Sequence, residues 1–103
     1  MITIRIMKNL KYKIVRSKQY KRDLRRLARS GRYELTKLDQ VIIQLASGNP
    51  LSPLLRNHKL QGDMLGLEEC HIQGDWVLIY LRQDDVLVLT LTRTGTHSQL
   101  FGE

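Results

Sequence analysis

Cysteine, proline and tryptophan are scarce in this chain of 103 residues, which has one Cys, two Pro and one Trp. With Cys70 alone, the chain can form no internal disulfide and no cysteine-based zinc finger. Its longest apolar runs, Val77 to Leu81 and Val86 to Leu89, are far shorter than a membrane span requires. The sequence also shows no basic segment leading into an apolar stretch, as a secretory signal would. We therefore expect a cytoplasmic protein that makes no contact with a membrane.

Acidic residues are nearly absent from the first third of the chain. Residues 1–33 hold twelve lysines and arginines against the single acid Asp23, whereas residues 34–103 hold five against nine acids. A clustered basic segment attracts polyanions, because neutralised phosphates release their counterions. The sequence therefore favours a negatively charged partner, with a basic face that is only solvated as the alternative.

Hydrophobic periodicity predicts a single α+β domain over residues 1–103. Ser17 is a candidate N-cap for a helix that ends at Gly31, and a second helix stops at Ser47-Gly48. Strand-like segments follow at residues 65–72, 76–82 and 86–93, and a further one precedes the helices at residues 12–15. We expect a small antiparallel sheet with the N-terminal helical hairpin packed on one face.

All three histidines lie in the second half of the chain, at strand ends or in loops. They are His58, His71 and His97. Such positions can converge on one face of a small sheet. The spacings of 13 and 26 residues do not match the local histidine pairs of common zinc sites, so we expect no metal.

Three short segments of the second half carry a family pattern. They are His58-Lys59-Leu60-Gln61-Gly62, Cys70-His71-Ile72-Gln73-Gly74-Asp75-Trp76-Val77-Leu78-Ile79-Tyr80, and Arg93-Thr94-Gly95-Thr96-His97-Ser98-Gln99-Leu100-Phe101-Gly102. Together and in this order, they resemble the RelE/ParE superfamily of type II toxin–antitoxin toxins, most closely its YafQ branch. The resemblance spans roughly residues 12–102.

Residues 1–10 have no counterpart in that family pattern. Ile2, Ile4 and Ile6 alternate with polar residues, as in a half-buried strand. We interpret the segment either as an N-terminal extension that adds a strand, or as sequence ahead of a natural start at Met7.

The family resemblance implies a RelE-like fold and a ribosome-dependent mRNA endonuclease that inhibits translation. It implies three partners, namely the ribosome, mRNA and a cognate antitoxin that holds the toxin inactive, with operator DNA reached only through the antitoxin. RNA can be cleaved without metal or another cofactor when a base deprotonates a 2′-hydroxyl, a cation stabilises the phosphate and an acid protonates the leaving 5′-oxygen.

The family segments contain every residue type that this chemistry needs. We assign His97 as the general acid, because imidazole exchanges protons near neutral pH. His71 and Asp75 bracket a turn, and either one is a candidate base or orients the other. His58 is a candidate for sharing the acid–base work or for contacting phosphate. Arg93 is the candidate phosphate clamp.

A second set of residues is predicted to bind RNA. Phe101 follows His97 by four positions and either stacks on an unpaired base or packs on the core. The first helix either grips ribosomal RNA or receives an acidic antitoxin. Trp76 is expected to cover the sheet edge and Cys70 to be a small core residue without chemistry. The basic residues predicted to contact RNA are Lys59, Lys18, Arg22, Arg25 and Arg26.

A non-catalytic binding protein on the same fold is the alternative function. It would be a ParE-type toxin that binds DNA gyrase, or a nucleic-acid-binding module. A pure binder has no use for three histidines, Asp75 and Arg93 in motif positions. The sequence therefore favours the endoribonuclease.

Overall fold

A computed structural model describes residues 10–102 and contains, within that range, a five-stranded sheet beside two main helices. The strands are β1 (Lys13–Arg16), β2 (His58–Lys59), β3 (Glu68–Gln73), β4 (Trp76–Gln83) and β5 (Val88–Thr96). The helices are α1 (Lys18–Ser30), α2 (Leu35–Ser47) and the short α3 (His97–Phe101), with 3₁₀ turns at Pro53–Leu55 and Gly62–Met64. The predicted strand pattern of residues 2–6 lies outside the described residues.

The sheet has the strand order β1-β5-β4-β3-β2 and is mixed. Strands β2 to β5 pair antiparallel with their neighbours, whereas β1 runs parallel to β5, with Lys13 opposite Val88. The prediction of an α+β fold with a helical hairpin is confirmed, but the expectation of a wholly antiparallel sheet is wrong at β1. The helical hairpin and three further strands separate β1 from β5, so no tight turn imposes an antiparallel pairing.

Local signals set the ends of both main helices where the sequence predicts them. The Ser17 hydroxyl accepts a hydrogen bond from the Tyr20 backbone N–H at 3.0 Å, which caps the start of α1. Gly31 and Gly48 close α1 and α2 in the left-handed conformation, with φ of 68° and 79°. No helix in the described part of the chain is long and apolar enough to cross a membrane.

The helical hairpin covers one face of the sheet and builds the core there. Leu27 of α1 and Leu45 of α2 are buried together with Leu78 of β4. Two residues of α1 have a burial opposite to their polarity. Ala28 is exposed, whereas the acid Asp23 is buried and accepts a hydrogen bond from the backbone N–H of Thr94 on β5.

Two residues of the family segments have structural roles. Trp76 has a structural role, as predicted, but it lies in the core on the central strand β4 rather than over the sheet edge, and it donates its indole N–H to the Thr94 hydroxyl at 2.9 Å. Cys70 lies in the core, as expected, and burial raises the pKa of its thiol to about 12. We therefore assign no chemistry to either side chain.

The opposite face of the sheet gathers the polar residues of the family segments. Across the strands, His58 lies opposite Glu69, Glu69 opposite Ile79, and Ile79 opposite Arg93. Directly paired residues point to the same face, as do residues two apart on one strand, so His71 joins this row. Gly95 lets α3 fold back closely, since a side chain there would place Cβ 2.8 Å from Oε1 of Gln99. That turn brings His97 over the same face.

Candidate active site

The buried carboxylate of Glu69 forms the centre of the site. Its Oε1 atom lies 3.1 Å from Nε2 of His97, 3.4 Å from Nε2 of His58 and 3.8 Å from Nε2 of His71. Glu69 is only 2% exposed. A buried carboxylate is stable where donors or positive charges surround it, and the Nε2–H of His97 is such a donor. We call these four residues the histidine cluster.

Different elements carry the three imidazoles to Glu69. His58 belongs to the two-residue strand β2 and pairs directly with Glu69 of β3. His71 follows Glu69 by two positions on β3, where a register shift between His71 and Gln73 begins the turn into β4. His97 is the first residue of α3, whose start is fixed by a capping box between Thr96 and Gln99. These residues are far apart in the sequence, and the pairing of the strands brings them together.

The hydrogen bonds of His58 set its tautomer. Its Nδ1 atom lies 2.9 Å from the carbonyl oxygen of Arg56, which can only accept, so Nδ1 carries a proton. In the neutral ring, Nε2 then keeps its lone pair and faces Glu69. The side chain of His58 is 51% exposed. The ring is therefore within reach of a substrate.

His71 is the most enclosed of the three rings, with a side chain 14% exposed. Its Nδ1 atom lies 3.1 Å from Nη2 of Arg56 and 3.3 Å from the carbonyl oxygen of Gly74. The neutral nitrogen accepts from the guanidinium, and the protonated nitrogen donates to the carbonyl. The ring therefore has a partner in either protonation state.

His97 stands between the other rings and the C-terminal Phe101. Its ring stacks on Phe101 with centroids 5.8 Å apart and packs edge-on against His71 at 5.6 Å. Phe101 is 39% exposed and is not part of the core, and its stacking on an unpaired base stays a prediction. An aromatic ring that is held at the site and open to solvent can stack on a base.

Arg93 lies on the face of the histidine cluster, but its guanidinium contacts α1. Its Nε and Nη2 atoms donate to the two carboxylate oxygens of Asp23 at 2.7 and 3.0 Å. These bonds to Asp23 raise the pKa of Arg93 above its usual value, against the opposing effect of partial burial. Asp23 also accepts the backbone N–H of Thr94 at 3.1 Å. Arg93, the predicted phosphate clamp, thus also links β5 to α1. We call the contacts of Asp23 with Arg93 and Thr94 the joint between β5 and α1.

The remaining predicted residues lie around the cluster. Asp75 is exposed in the turn between β3 and β4 and, within residues 10–102, forms no hydrogen bond or ion pair with His71. Lys59 is exposed on β2 beside His58. Arg26 of α1 pairs with Asp23 at 3.2 Å. The other predicted contacts on α1 are exposed, namely Lys18, Arg22 and Arg25.

Glu69 is absent from the residues that the sequence singles out. The missing signal is the two-residue period of β3, since any face that holds His71 also holds Glu69. Arg56 is the second omission. It lies two residues before His58 in a loop whose path the sequence does not reveal.

Glu69, His71 and His97 form a donor set that can also hold a metal ion. One ligand atom from each lies within 4.8 Å of the others. Two imidazoles and a carboxylate suit a late first-row transition metal. The prediction of no metal rests on the spacing of the histidines alone. It does not include the carboxylate of Glu69, which the fold places next to them.

The chain is similar to known bacterial toxins over most of its length. A family model described as "Bacterial toxin of type II toxin-antitoxin system, YafQ" matches residues 12–102. The mRNA interferase toxin YafQ of Escherichia coli strain K12 is 37% identical over 87 residues, which cover 84% of this chain and 91% of that protein.

Two solved structures are similar over most of their length. The E. coli DinJ–YafQ toxin–antitoxin complex contains a chain with 35% identity and a TM-score of 0.78, with 90% of this chain and 100% of that chain covered. A metal-bound toxin from Helicobacter pylori has 36% identity and a TM-score of 0.80, with 87% and 99% covered.

Proposed function

This chain belongs to the YafQ family of bacterial type II toxin–antitoxin toxins, and from that premise we propose that it cleaves mRNA on the ribosome by metal-independent acid–base catalysis. It is a toxin of a type II system and an mRNA interferase, which is an endoribonuclease. The observation that supports the chemical step is the convergence of three imidazoles on Oε1 of Glu69.

His58 is the general base in this proposal. Its neutral tautomer presents a lone pair on Nε2, and its side chain is the most exposed of the three. It removes the proton from the 2′-hydroxyl of the message, and O2′ attacks the adjacent phosphorus. The resulting imidazolium lies 3.4 Å from the Glu69 carboxylate, which stabilises the positive charge.

His97 is the general acid that completes the reaction. Its Nε2–H donates to Glu69, which leaves Nδ1 of the protonated ring for substrate. As the bond between phosphorus and O5′ breaks, the electron pair stays on O5′ and takes the Nδ1 proton. The products are a 2′,3′-cyclic phosphate and a free 5′-hydroxyl. Glu69 acts as a positioning residue, because it holds both rings without touching the message.

Other residues bind the message and neutralise its charge. Phe101 stacks on a base next to the scissile phosphate. Arg93 donates from Nε and Nη2 to Asp23, so in this proposal it positions β5 against α1 rather than clamping the phosphate. Asp75 and Lys59 line the approach from β3 and β2. Asp75 does not contact His71, so it orients substrate rather than the ring.

The exposed basic face of α1 binds ribosomal RNA in this proposal. Lys18, Arg22 and Arg25 carry the charge for it. A cognate antitoxin binds the toxin and keeps it inactive in this proposal, and operator DNA is reached only through that antitoxin. The solved DinJ–YafQ toxin–antitoxin complex of a relative supports a partner of this kind. The toxin acts in the cytoplasm, where ribosomes and messages are present.

A non-catalytic binder would gain nothing from a buried carboxylate shared by three imidazoles.

A transition-metal ion would compete with this chemistry. Held by Glu69, His71 and His97, such an ion would bind a ring nitrogen of His97 and compete with the hydrogen bond to Glu69 that orients the acid. We therefore propose that cleavage proceeds in the presence of a chelator that spares ribosomal magnesium.

Incubation of the purified toxin with a defined message tests the proposed function. We expect cleavage on ribosomes that carry the message, much slower cleavage of the same RNA alone, and a 2′,3′-cyclic phosphate at the new 3′ end. An intact message on ribosomes contradicts the proposal. Equal cleavage of free RNA would contradict only its dependence on the ribosome.

A further inference from the structure

Arg56 touches two of the three rings in the histidine cluster, and the proposed mechanism gives its side chain no task. Its backbone carbonyl accepts the Nδ1–H of His58 at 2.9 Å. Its guanidinium Nη2 lies 3.1 Å from Nδ1 of His71. The backbone of this residue thus orients one ring while its charged end lies against another.

The backbone of Arg56 is held in a conformation that side chains disfavour. Its φ and ψ are 48° and 49°, and its N–H donates to the Pro53 carbonyl at 3.1 Å. Among the described non-glycine residues, only Leu87 shares a positive φ. Glycine adopts this region without penalty, and strain of this kind concentrates at functional sites. An arginine in this conformation beside the histidine cluster is therefore a candidate for a functional side chain.

The charge on Arg56 is available to a ligand, unlike the charge on Arg93. Arg93 is bound to a carboxylate through two of its nitrogens, whereas Arg56 is exposed and forms no ion pair within residues 10–102. Within residues 10–102 the guanidinium forms one side-chain hydrogen bond, to Nδ1 of His71 at 3.1 Å, so this is the contact that it gives up when it moves to a substrate.

We propose that Arg56 is a further catalytic residue, whose guanidinium donates to a non-bridging oxygen of the scissile phosphate. This inference rests on the proposed endonuclease function. While the O2′ to phosphorus bond forms and the phosphorus to O5′ bond breaks, negative charge builds on the non-bridging oxygens. Arg56 transfers no proton, since its guanidinium stays protonated throughout, and its planar fork suits phosphate oxygens.

The test compares Arg56→Gly with the wild type in single-turnover cleavage on ribosomes that carry a defined message. Glycine suits the left-handed backbone, so this variant removes the side chain without adding strain. We expect cleavage to slow by about 10²-fold or more, the usual effect of losing one transition-state donor. Arg32→Gln removes an equal charge from an exposed position after α1 and should cleave at the wild-type rate.

Two further measurements separate phosphate contact from a structural role. Sulfur in place of one non-bridging oxygen should slow the wild type for one diastereomer and leave Arg56→Gly indifferent to the substitution. Millimolar guanidinium should restore part of the activity of Arg56→Gly and none to a variant lacking His97.

Three outcomes would overturn the inference. The first is cleavage by Arg56→Gly within threefold of the wild type. The second is a slow variant that keeps the full sulfur effect, because Arg56 would then act only through His71. The third is a wild type that cleaves no message on ribosomes. That result would contradict the proposed function as well, whereas the first two outcomes contradict only the role of Arg56.

Discussion

Nε2 of His97 lies 3.1 Å from Oε1 of Glu69, although 28 positions separate the two residues in the chain. The contact joins the first residue of α3 to the buried middle of the sheet face. It aims one nitrogen of the imidazole at a carboxylate and leaves the other for substrate. The same carboxylate oxygen faces His58, so one buried acid holds both the proposed base and the proposed acid.

Removing the charge of Glu69 should impair catalysis more than stability. Glu69→Gln keeps the size of the side chain but no longer stabilises the imidazolium, and we expect cleavage to fall by about 10²-fold. The loss of ion pairing is offset by the lower cost of burying a neutral group. Single-turnover rates and urea unfolding measure the two effects. Glu68→Gln, which alters the preceding carboxylate, is the control, and equal losses from both variants would contradict the role of Glu69.

Phe101 should contribute to message binding through its ring. Phe101→Leu keeps an apolar side chain without a stacking surface, so the affinity for a message with a 2′-deoxy scissile nucleotide should fall by about 1–3 kcal/mol. Phe101→Trp should retain the affinity. Equilibrium binding and the melting temperature are measured together. A Leu variant that melts earlier but binds normally would show that the ring only supports the fold.

The joint between β5 and α1 should be a major stabilising element. Asp23 is 1% exposed and accepts hydrogen bonds from Arg93 and from the Thr94 backbone. Asp23→Asn leaves the partly buried guanidinium without its counter-charge, at a cost of about 3–5 kcal/mol in the free energy of unfolding. Urea unfolding measures this cost. Asp85→Asn in the exposed β4–β5 turn should change stability by less than about 0.5 kcal/mol, and a similar value for Asp23→Asn would rule out the joint.

The basic face of α1 should control the salt dependence of ribosome binding. Arg26 pairs with Asp23, so the variant that tests this face without disturbing the joint replaces Lys18, Arg22 and Arg25 with Gln. The slope of log affinity against log salt should become shallower by about 0.7–0.9 for each phosphate that the helix no longer neutralises. Turnover of message that is already bound should stay the same. An unchanged slope would identify α1 as a solvated face.

Stability should decline at alkaline pH because of buried tyrosines. Burial raises the pKa of Tyr20 from 10.0 to about 12, and the pKa of Tyr80 shifts in the same direction. The folded state holds the phenol proton more tightly than the unfolded chain, so the contribution is complete below pH 10 and is lost as the pH rises to 12. For Tyr20 it amounts to roughly 3 kcal/mol. The unfolding free energy of the wild type should fall relative to that of Tyr20→Phe over this range, and parallel curves would contradict the assignment.

The sequence predicts local features of this molecule well and long-range contacts less well. The first helix begins at the cap Ser17, and the two helices end at Gly31 and Gly48. These caps form hydrogen bonds to residues only a few positions away, so the sequence alone reveals the boundaries. The parallel pairing of β1 with β5 and the ion pair of Asp23 with Arg93 join distant segments, and no local pattern reports either one. Glu69 could have been found, because it shares the alternation of β3 with His71. Arg56 could not, because its position depends on the path of an irregular loop.

The most direct test of the mechanism replaces the leaving 5′-oxygen of the message with sulfur. A thiolate leaves without protonation, so a general acid is no longer needed, whereas the general base still is. On ribosomes that carry the normal message, His97→Ala and His58→Ala should both cleave at least about 10²-fold slower than the wild type. With the sulfur linkage, we predict that His97→Ala recovers nearly the wild-type rate while His58→Ala stays slow. A His97→Ala variant that remains equally impaired on both linkages would contradict the assignment of His97 as the general acid.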